Sequence, residues 1–308
     1  RDLRMSRGLG DVYKRQGNMS VTETDELITI TSGDLSLEIT KLPWSMTYKH
    51  KGRVLSKSGR KDLALMKTDW KGYAYDKGDY TDTYIRQQLS MGVGELLYGF
   101  GERFTPFVKN GQSIDIFNQD GGTSTEQSYK NIPFYVSNKG YGVFVNHPEK
   151  VSFEVGTEMV TKAEFSVEGS YLDYFFIDGP SMKDVLVKYT DLTGKPSLPA
   201  PWTFGLWLST SFTTNYDEDT VMSFVDGMLD RGIPLRTFHF DCFWMKEFHW
   251  SDFVWDERVF PDPEGLLKRL KAKGLNICVW INSYIGQESR LFNCLLYTSP
   301  SPRDMRRS

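Results

Sequence analysis

The sequence predicts an N-terminal antiparallel β-sandwich followed by the first three β/α units of an incomplete TIM (β/α)8 barrel. Three observations lead there. Up to about residue 199 the chain is a succession of short period-two segments broken by turn residues, the pattern of a sandwich. A proline-rich stretch, Lys195-Pro-Ser-Leu-Pro-Ala-Pro201, then punctuates the chain. Beyond it, strand-length apolar runs alternate with helix-period runs, which implies parallel strands joined by right-handed crossovers. Three such strands do not close a barrel.

The two ends are set aside before composition is read. Ser6–Gln16 back-translates into a widely used transposon sequencing adapter, and the reverse complement of that adapter, read in frame, gives Cys294–Asp304. One oligonucleotide thus accounts for both ends, and such scars carry no fold information. The expected organisation is 1–16 adapter-derived, 17–199 sandwich, 200–293 partial barrel and 294–308 adapter-derived, the middle being an internal piece of a longer gene.

Removing the ends takes out eight Lys or Arg and three acidic residues, so the net charge falls from -3 to about -8. A dispersed acidic charge speaks against nucleic acid as the main ligand. No apolar run approaches the length of a membrane span. Cys242 and Cys278 lie in strand-like apolar surroundings, which suits buried free thiols and leans towards a reducing, cytoplasmic compartment.

In the sandwich, Leu27–Ile30 and Leu35–Ile39 alternate with period two around Ser32-Gly33-Asp34, a hairpin signal. Further strands are expected at Gln87–Met91, Tyr135–Ser137, Gly142–Val145, Ser152–Val155, Ala163–Val167 and Tyr171–Ile177. Turn residues separate several of them, as at Asn138-Lys-Gly140, Asn146-His-Pro148 and Glu168-Gly169. The period changes at Ser181. That residue can cap a helix whose Val185, Leu186, Tyr189 and Leu192 share a face before Gly194.

Past the proline stretch, Phe204–Leu208 reads as the first parallel strand. Asp217–Arg231 reads as a helix with Val221, Phe224, Val225 and Met228 inward and Gly232 as its stop. Thr237–Asp241 is the second strand. Asp262-Pro263-Glu264 opens the next helix, with Leu266, Leu267 and Leu270 inward and Gly274 at its end. Asn276–Ile281 is the third strand.

The second strand leads to chemistry. Thr237-Phe-His-Phe-Asp241 runs into Cys242-Phe-Trp-Met-Lys-Glu-Phe-His-Trp250, a carboxylate at a strand end followed by aromatics. The C-terminal ends of its strands are where a β/α barrel carries its site. Rings that stack on C–H faces, beside a carboxylate that accepts from hydroxyls, suit a sugar. An ordinary aromatic-rich loop is the plainer alternative on spacing alone. Metal chemistry finds no support, since the native stretch has neither paired CxxC nor HExxH spacing. Gly99-Phe-Gly101-Glu lacks the third glycine of a dinucleotide fingerprint and reads as a turn. His239 and His249 read as packing or loop contacts.

Five segments stand in order: Gly99–Phe104, Asn118–Tyr135, Ser211-Phe-Thr-Thr-Asn-Tyr216, Phe240-Asp-Cys-Phe-Trp244 and Val279-Trp-Ile-Asn282. Together they resemble glycoside hydrolase family 31, and closely its bacterial α-xylosidases. The resemblance implies a retaining double displacement by two aspartates. Both would lie on later strands and loops, so no catalytic residue is assigned within this chain and the chain alone is expected to be inactive.

What the resemblance assigns here is a sugar-binding half-site. Asp241 is implied to accept from the hydroxyls of the non-reducing-end sugar. Trp280, at the same level of the next strand, and Phe212, after the first, are implied to line the same subsite. Asp120 lies in a glycine-rich loop of the sandwich that is implied to reach the same sugar. Cys242 and Phe243 bear on specificity. Related α-glucosidases tend to carry an aliphatic residue and then Asp there, able to accept from the glucose hydroxymethyl group. A thiol and a phenyl ring offer no such acceptor, and leaving that group unpaired costs roughly 1–3 kcal/mol. Xylose lacks the group.

Ser283 departs from the Pro usual in close relatives, and is expected to loosen that loop without touching the chemistry. The resemblance implies an oligosaccharide substrate, no cofactor or metal, no nucleic acid or membrane partner, and a homo-oligomer for the full-length protein. An α-glucosidase of the same family and a non-catalytic carbohydrate-binding β-sandwich protein are the two alternatives.

Overall fold

The computed structural model describes residues 19–71, 79–119, 126–210 and 216–298. The chain divides between Pro196 and Ser197 into two compact units.

The first unit contains β1 (Met19–Glu23), β2 (Leu27–Ser32), β3 (Leu35–Thr40), β4 (Ser45–His50), β5 (Arg53–Ser58), β6 (Leu63–Lys71), β7 (Asp79–Ser90), β8 (Leu97–Gly101), β9 (Gln112–Ile116), β10 (Asn131–Ser137), β11 (Tyr141–Val145), β12 (Val151–Val155), β13 (Lys162–Glu168) and β14 (Tyr174–Asp178). These form three antiparallel sheets, ordered β1-β2-β3-β4-β5, β6-β7-β13-β12-β9 and β14-β11-β10-β8. The predicted hairpin is present with Ser32 opposite Leu35. Inward positions on alternating strands supply the core: Phe153 and Phe165 from one sheet meet Phe100, Tyr135 and Tyr141 from another, all fully buried.

Several elements differ from the sequence expectation. Strands β1, β4, β5, β6, β8 and β9 were not foreseen, because their mixed polar text lacks a clean period; β8 and β9 moreover pair with β10 and β12, which are not their sequence neighbours, so their pairing comes from tertiary context. The strand expected from Tyr171 begins at Tyr174. The residues before it bind a turn instead: Asp173 donates its backbone N–H to His147 and its carboxylate accepts from Asn146. Gly99-Phe-Gly101 is the end of strand β8, not a turn. Gly99 has φ +125°, and a Cβ there would lie 2.6 Å from the carbonyl oxygen of Phe134 on β10, so only glycine permits this pairing.

Helix α1 (Met182–Thr193) closes the unit, capped by Ser181, whose side chain accepts from the Asp184 N–H. Val185 is buried, and Tyr189 stacks on Phe134 with ring centroids 3.9 Å apart. Leu186, expected inward, is exposed.

In the second unit Pro201–Phe204 forms a 3-10 turn, so the first strand, β15 (Leu206–Leu208), starts two residues later than predicted. Proline early in that turn has the φ it needs. Then come α2 (Glu218–Asp230), β16 (Leu235–Phe240), α3 (Pro263–Ala272) and β17 (Asn276–Val279). The three strands are parallel in the order β15-β16-β17. The second helix starts at its predicted cap, Asp262 accepting from the Gly265 N–H; Asp217, expected as the first helical residue, is instead the cap of the first, accepting from the Thr220 N–H. Val221, Val225, Leu266 and Leu270 are fully buried against Phe238 and Phe240. Phe224, predicted inward, is exposed. These are the first three β/α units of a barrel.

Candidate functional site

The site grows from the end of β16. Phe238 and Phe240 pack into the layer shared with the helices, so strand alternation turns Thr237 and His239 to the opposite face. The strand stops because Asp241 caps a short 3-10 turn, Cys242–Trp244, accepting from the Cys242 N–H at 2.7 Å. This cap leaves Asp241 half-buried at the strand end. Its own N–H donates to the Tyr216 hydroxyl at 2.6 Å.

Trp280 stands beside it. The Trp280 N–H donates to the Phe240 carbonyl at 2.7 Å, which continues the ladder one residue past β17 and brings Trp280 level with Asp241. Its ring meets Trp250 edge-on, centroids 5.7 Å apart, and its carbonyl accepts from the Trp244 indole N–H at 2.8 Å. Asp241 and Trp280 are therefore neighbours across adjacent strand ends.

Cys242 is buried. Burial and the Asp241 carboxylate beside it push the thiol up to about 11, so it stays protonated and uncharged at neutral pH. Cys278, expected to be buried, is half-buried on β17. Phe243 is half-buried and borders a cavity of about 290 Å³ with Tyr216, Met245, Asp256 and Arg258. Asp256 and Arg258 pair there through two parallel contacts, Nε to Oδ1 at 2.9 Å and an outer nitrogen to Oδ2 at 2.6 Å.

The loop after β17 is tied rather than loose. Asn282 accepts from the Tyr284 N–H across Ser283, and the buried Ser251 hydroxyl lies within hydrogen-bond distance of the carbonyls of Asn282 and Tyr284. Asp252 adds His249, Ser289 and Arg290 to the same brace. Side chains of the preceding loop thus do the stiffening that a proline would do at Ser283.

Asp120 and Phe212 lie outside the described residues. A larger cavity, about 380 Å³, lies in the first unit and is lined by Arg103, Asp115 and Lys150 among others. Three of its charges are already committed. Asp115 pairs with Lys150 at 2.6 Å, and Arg103 donates to three backbone carbonyls. The strand ends, with a carboxylate oxygen and indole faces, are the better seat for a sugar. No cluster able to hold a metal ion occurs among the described residues. Sequence reasoning assigned no role to Tyr216 or Trp244, although both stand in the segments quoted above. The only signal was their place at the ends of those segments.

Two family models match the chain: the glycosyl hydrolase 31 N-terminal galactose mutarotase-like domain over residues 10–154, and the glycosyl hydrolases family 31 TIM-barrel domain over residues 196–301. The chain belongs to glycoside hydrolase family 31. It is similar to α-xylosidase XylQ of Lactiplantibacillus pentosus, 50% identical over 275 residues covering 89% of this chain and 35% of that protein. It is equally similar to an α-xylosidase of Emericella nidulans, 50% identical over 90% of this chain and 37% of that one. The chain thus spans about a third of the length of these relatives. Among solved structures, a family 31 α-xylosidase from a soil metagenome complexed with xylose matches with a TM-score of 0.69 at 16% identity, covering 91% of this chain and 42% of that one. A family 31 dextranase of Flavobacterium johnsoniae matches at 0.68 and 24%, covering 85% and 30%. These structural matches speak to the fold.

Proposed function

We propose that the protein containing this chain is a retaining α-xylosidase that releases terminal α-xylosyl residues from oligosaccharides, with Asp241, Trp280 and Phe212 holding the sugar. The observation that carries the reading is the turn Asp241-Cys242-Phe243. A carboxylate at the strand end is followed by a buried, protonated thiol and a phenyl ring, and neither of those two accepts from a hydroxymethyl group. Xylose, which has none, is the pyranose that leaves nothing unpaired. The names of the two 50% identical relatives support the same substrate.

Within this reading the chain supplies the half of the site that binds, and two carboxylates beyond it attack the anomeric carbon and protonate the leaving oxygen. A cytoplasmic homo-oligomer fits the reading, with Cys242 and Cys278 both free thiols as a reducing compartment keeps them. The experiment is hydrolysis of an aryl α-xyloside by the full-length protein, followed by proton NMR of the first sugar released. α-Xylose supports the reading. β-Xylose, or no xylose at all, refutes it.

A further inference from the structure

The geometry points to Tyr216 as a positioning residue that sets the Asp241 carboxylate through its backbone, an inference that rests on the sugar-binding role proposed for Asp241. A strand end is the weakest part of a parallel sheet, because the last amides run out of ladder partners. The Asp241 N–H lies there. It donates not to a neighbouring strand but to the Tyr216 hydroxyl at 2.6 Å, 25 residues away in sequence.

The same hydroxyl lies 3.4 Å from the His239 carbonyl as a donor. One phenol thus spans the end of β16, accepting from the residue past its end and donating to the residue before its last. Burial, with Asp241 and Cys242 nearby, pushes the phenol up to about 12, so it keeps its proton and both roles at neutral pH.

Tyr216 is itself well fixed. It is buried, and its ring meets Phe240 and Phe260 edge-on with centroids 6.2 and 6.0 Å apart. It immediately precedes Asp217, the cap of α2, so its backbone is anchored to a helix start. The Asp241 side chain is held from the other side by the Cys242 N–H. With two anchors, one on the amide and one on the carboxylate, both φ and the side-chain torsions of Asp241 are constrained. Removing the hydroxyl leaves the side chain's chemistry intact while freeing the main chain that aims it. A site loose by a fraction of an ångström loses rate without losing fold.

The test uses the full-length protein with Tyr216→Phe and Asp241→Ala, singly and together, read as kcat/KM on an aryl α-xyloside with thermal midpoints alongside. Tyr216→Phe keeps the ring and its packing, so the midpoint falls by only a few degrees. Its kcat/KM falls about tenfold, carried more by KM than by kcat. On top of Asp241→Ala it has almost no further effect, since its action runs through that residue. Hydrogen exchange reads the contact directly: the Asp241 amide exchanges slowly in the unchanged protein and about tenfold faster in Tyr216→Phe. Unchanged turnover in Tyr216→Phe, or the same tenfold loss in the Asp241→Ala background, overturns the positioning role alone. Unchanged turnover in Asp241→Ala overturns the site reading and this inference with it.

Discussion

The indole N–H of Trp244 donates to the main-chain carbonyl of Trp280 at 2.8 Å, so the ring three residues after the strand-end carboxylate holds the tryptophan beside it. Trp244 is buried and meets Trp255 edge-on, centroids 5.1 Å apart, which fixes the donor. The two strand ends are thereby locked together by a side chain as well as by the sheet ladder.

Replacing that donor tests the lock. Trp244→Phe in the full-length protein deletes the hydrogen bond and part of a buried ring, and the expected cost is about 2–4 kcal/mol of stability. Urea unfolding measures it. A loss within 0.5 kcal/mol or so, the range of ordinary surface changes, would mean that Trp244 holds nothing.

Acid should loosen the first unit at one place. Asp178 on β14 is buried and meets both Lys188 on α1, at 2.8 Å, and His50 on β4, at 2.6 Å. Burial alone would raise its carboxyl, but hydrogen bonds and charge from Lys188 and His50 outweigh burial and hold it below the usual carboxylate range. A lowered folded value means that the stabilisation is complete above the ordinary Asp range and is lost as pH falls through the lowered value. Asp178→Asn should therefore cost about 1–3 kcal/mol at pH 7, with the gap to the unchanged protein closing in acid. Urea midpoints at neutral and acid pH measure this, and a gap of constant size would count against it.

Much of this arrangement was legible in the sequence. The helix start at Asp262-Pro263 follows from local capping chemistry, the one near Asp217 was legible to within a residue, and the buried Val221, Val225, Leu266 and Leu270 follow from helical period. Asp241 and Trp280 were legible as strand-end residues, and they stand side by side. What pattern could not give was contact at a distance. The Tyr216 hydroxyl on the Asp241 amide, and Ser251 on the loop past Asn282, link residues 25 and 31 apart, and no periodicity encodes such pairs. Strands β4 to β6, which pair with sequence neighbours, were missed for a different reason. Their faces are defined by what packs on them, and Leu63 and Leu65 remain exposed.

Cys242 should resist alkylation. With its thiol pushed up to about 11 by burial and the neighbouring Asp241, little thiolate exists at pH 8. Iodoacetamide followed by peptide mass spectrometry should show labelling at least ~100-fold slower than a free peptide thiol. Labelling at the free-thiol rate would mean an exposed or activated sulfur.

The chain alone should turn over no substrate. The resemblance puts both catalytic carboxylates outside it, so an aryl α-xyloside should remain intact in its presence. Xylose release above the buffer rate, from material free of other glycosidases, would show a nucleophile among these residues.

The central claim is that Cys242 and Phe243 read the sugar's fifth carbon. The most direct measurement is the ratio of kcat/KM for matched aryl α-xyloside and α-glucoside substrates, in the full-length protein and in its Cys242→Ile, Phe243→Asp double variant. The unchanged protein should favour the xyloside. In the double variant the new carboxylate accepts from the hydroxymethyl group and the lost ring makes room for it. A charged hydrogen bond of roughly 1.5–3 kcal/mol should move the ratio about ten- to a hundredfold towards the glucoside. Absolute rates should fall, since a carboxylate beside Asp241 is partly neutralised. A folded double variant with the same ratio as the unchanged protein would contradict the account.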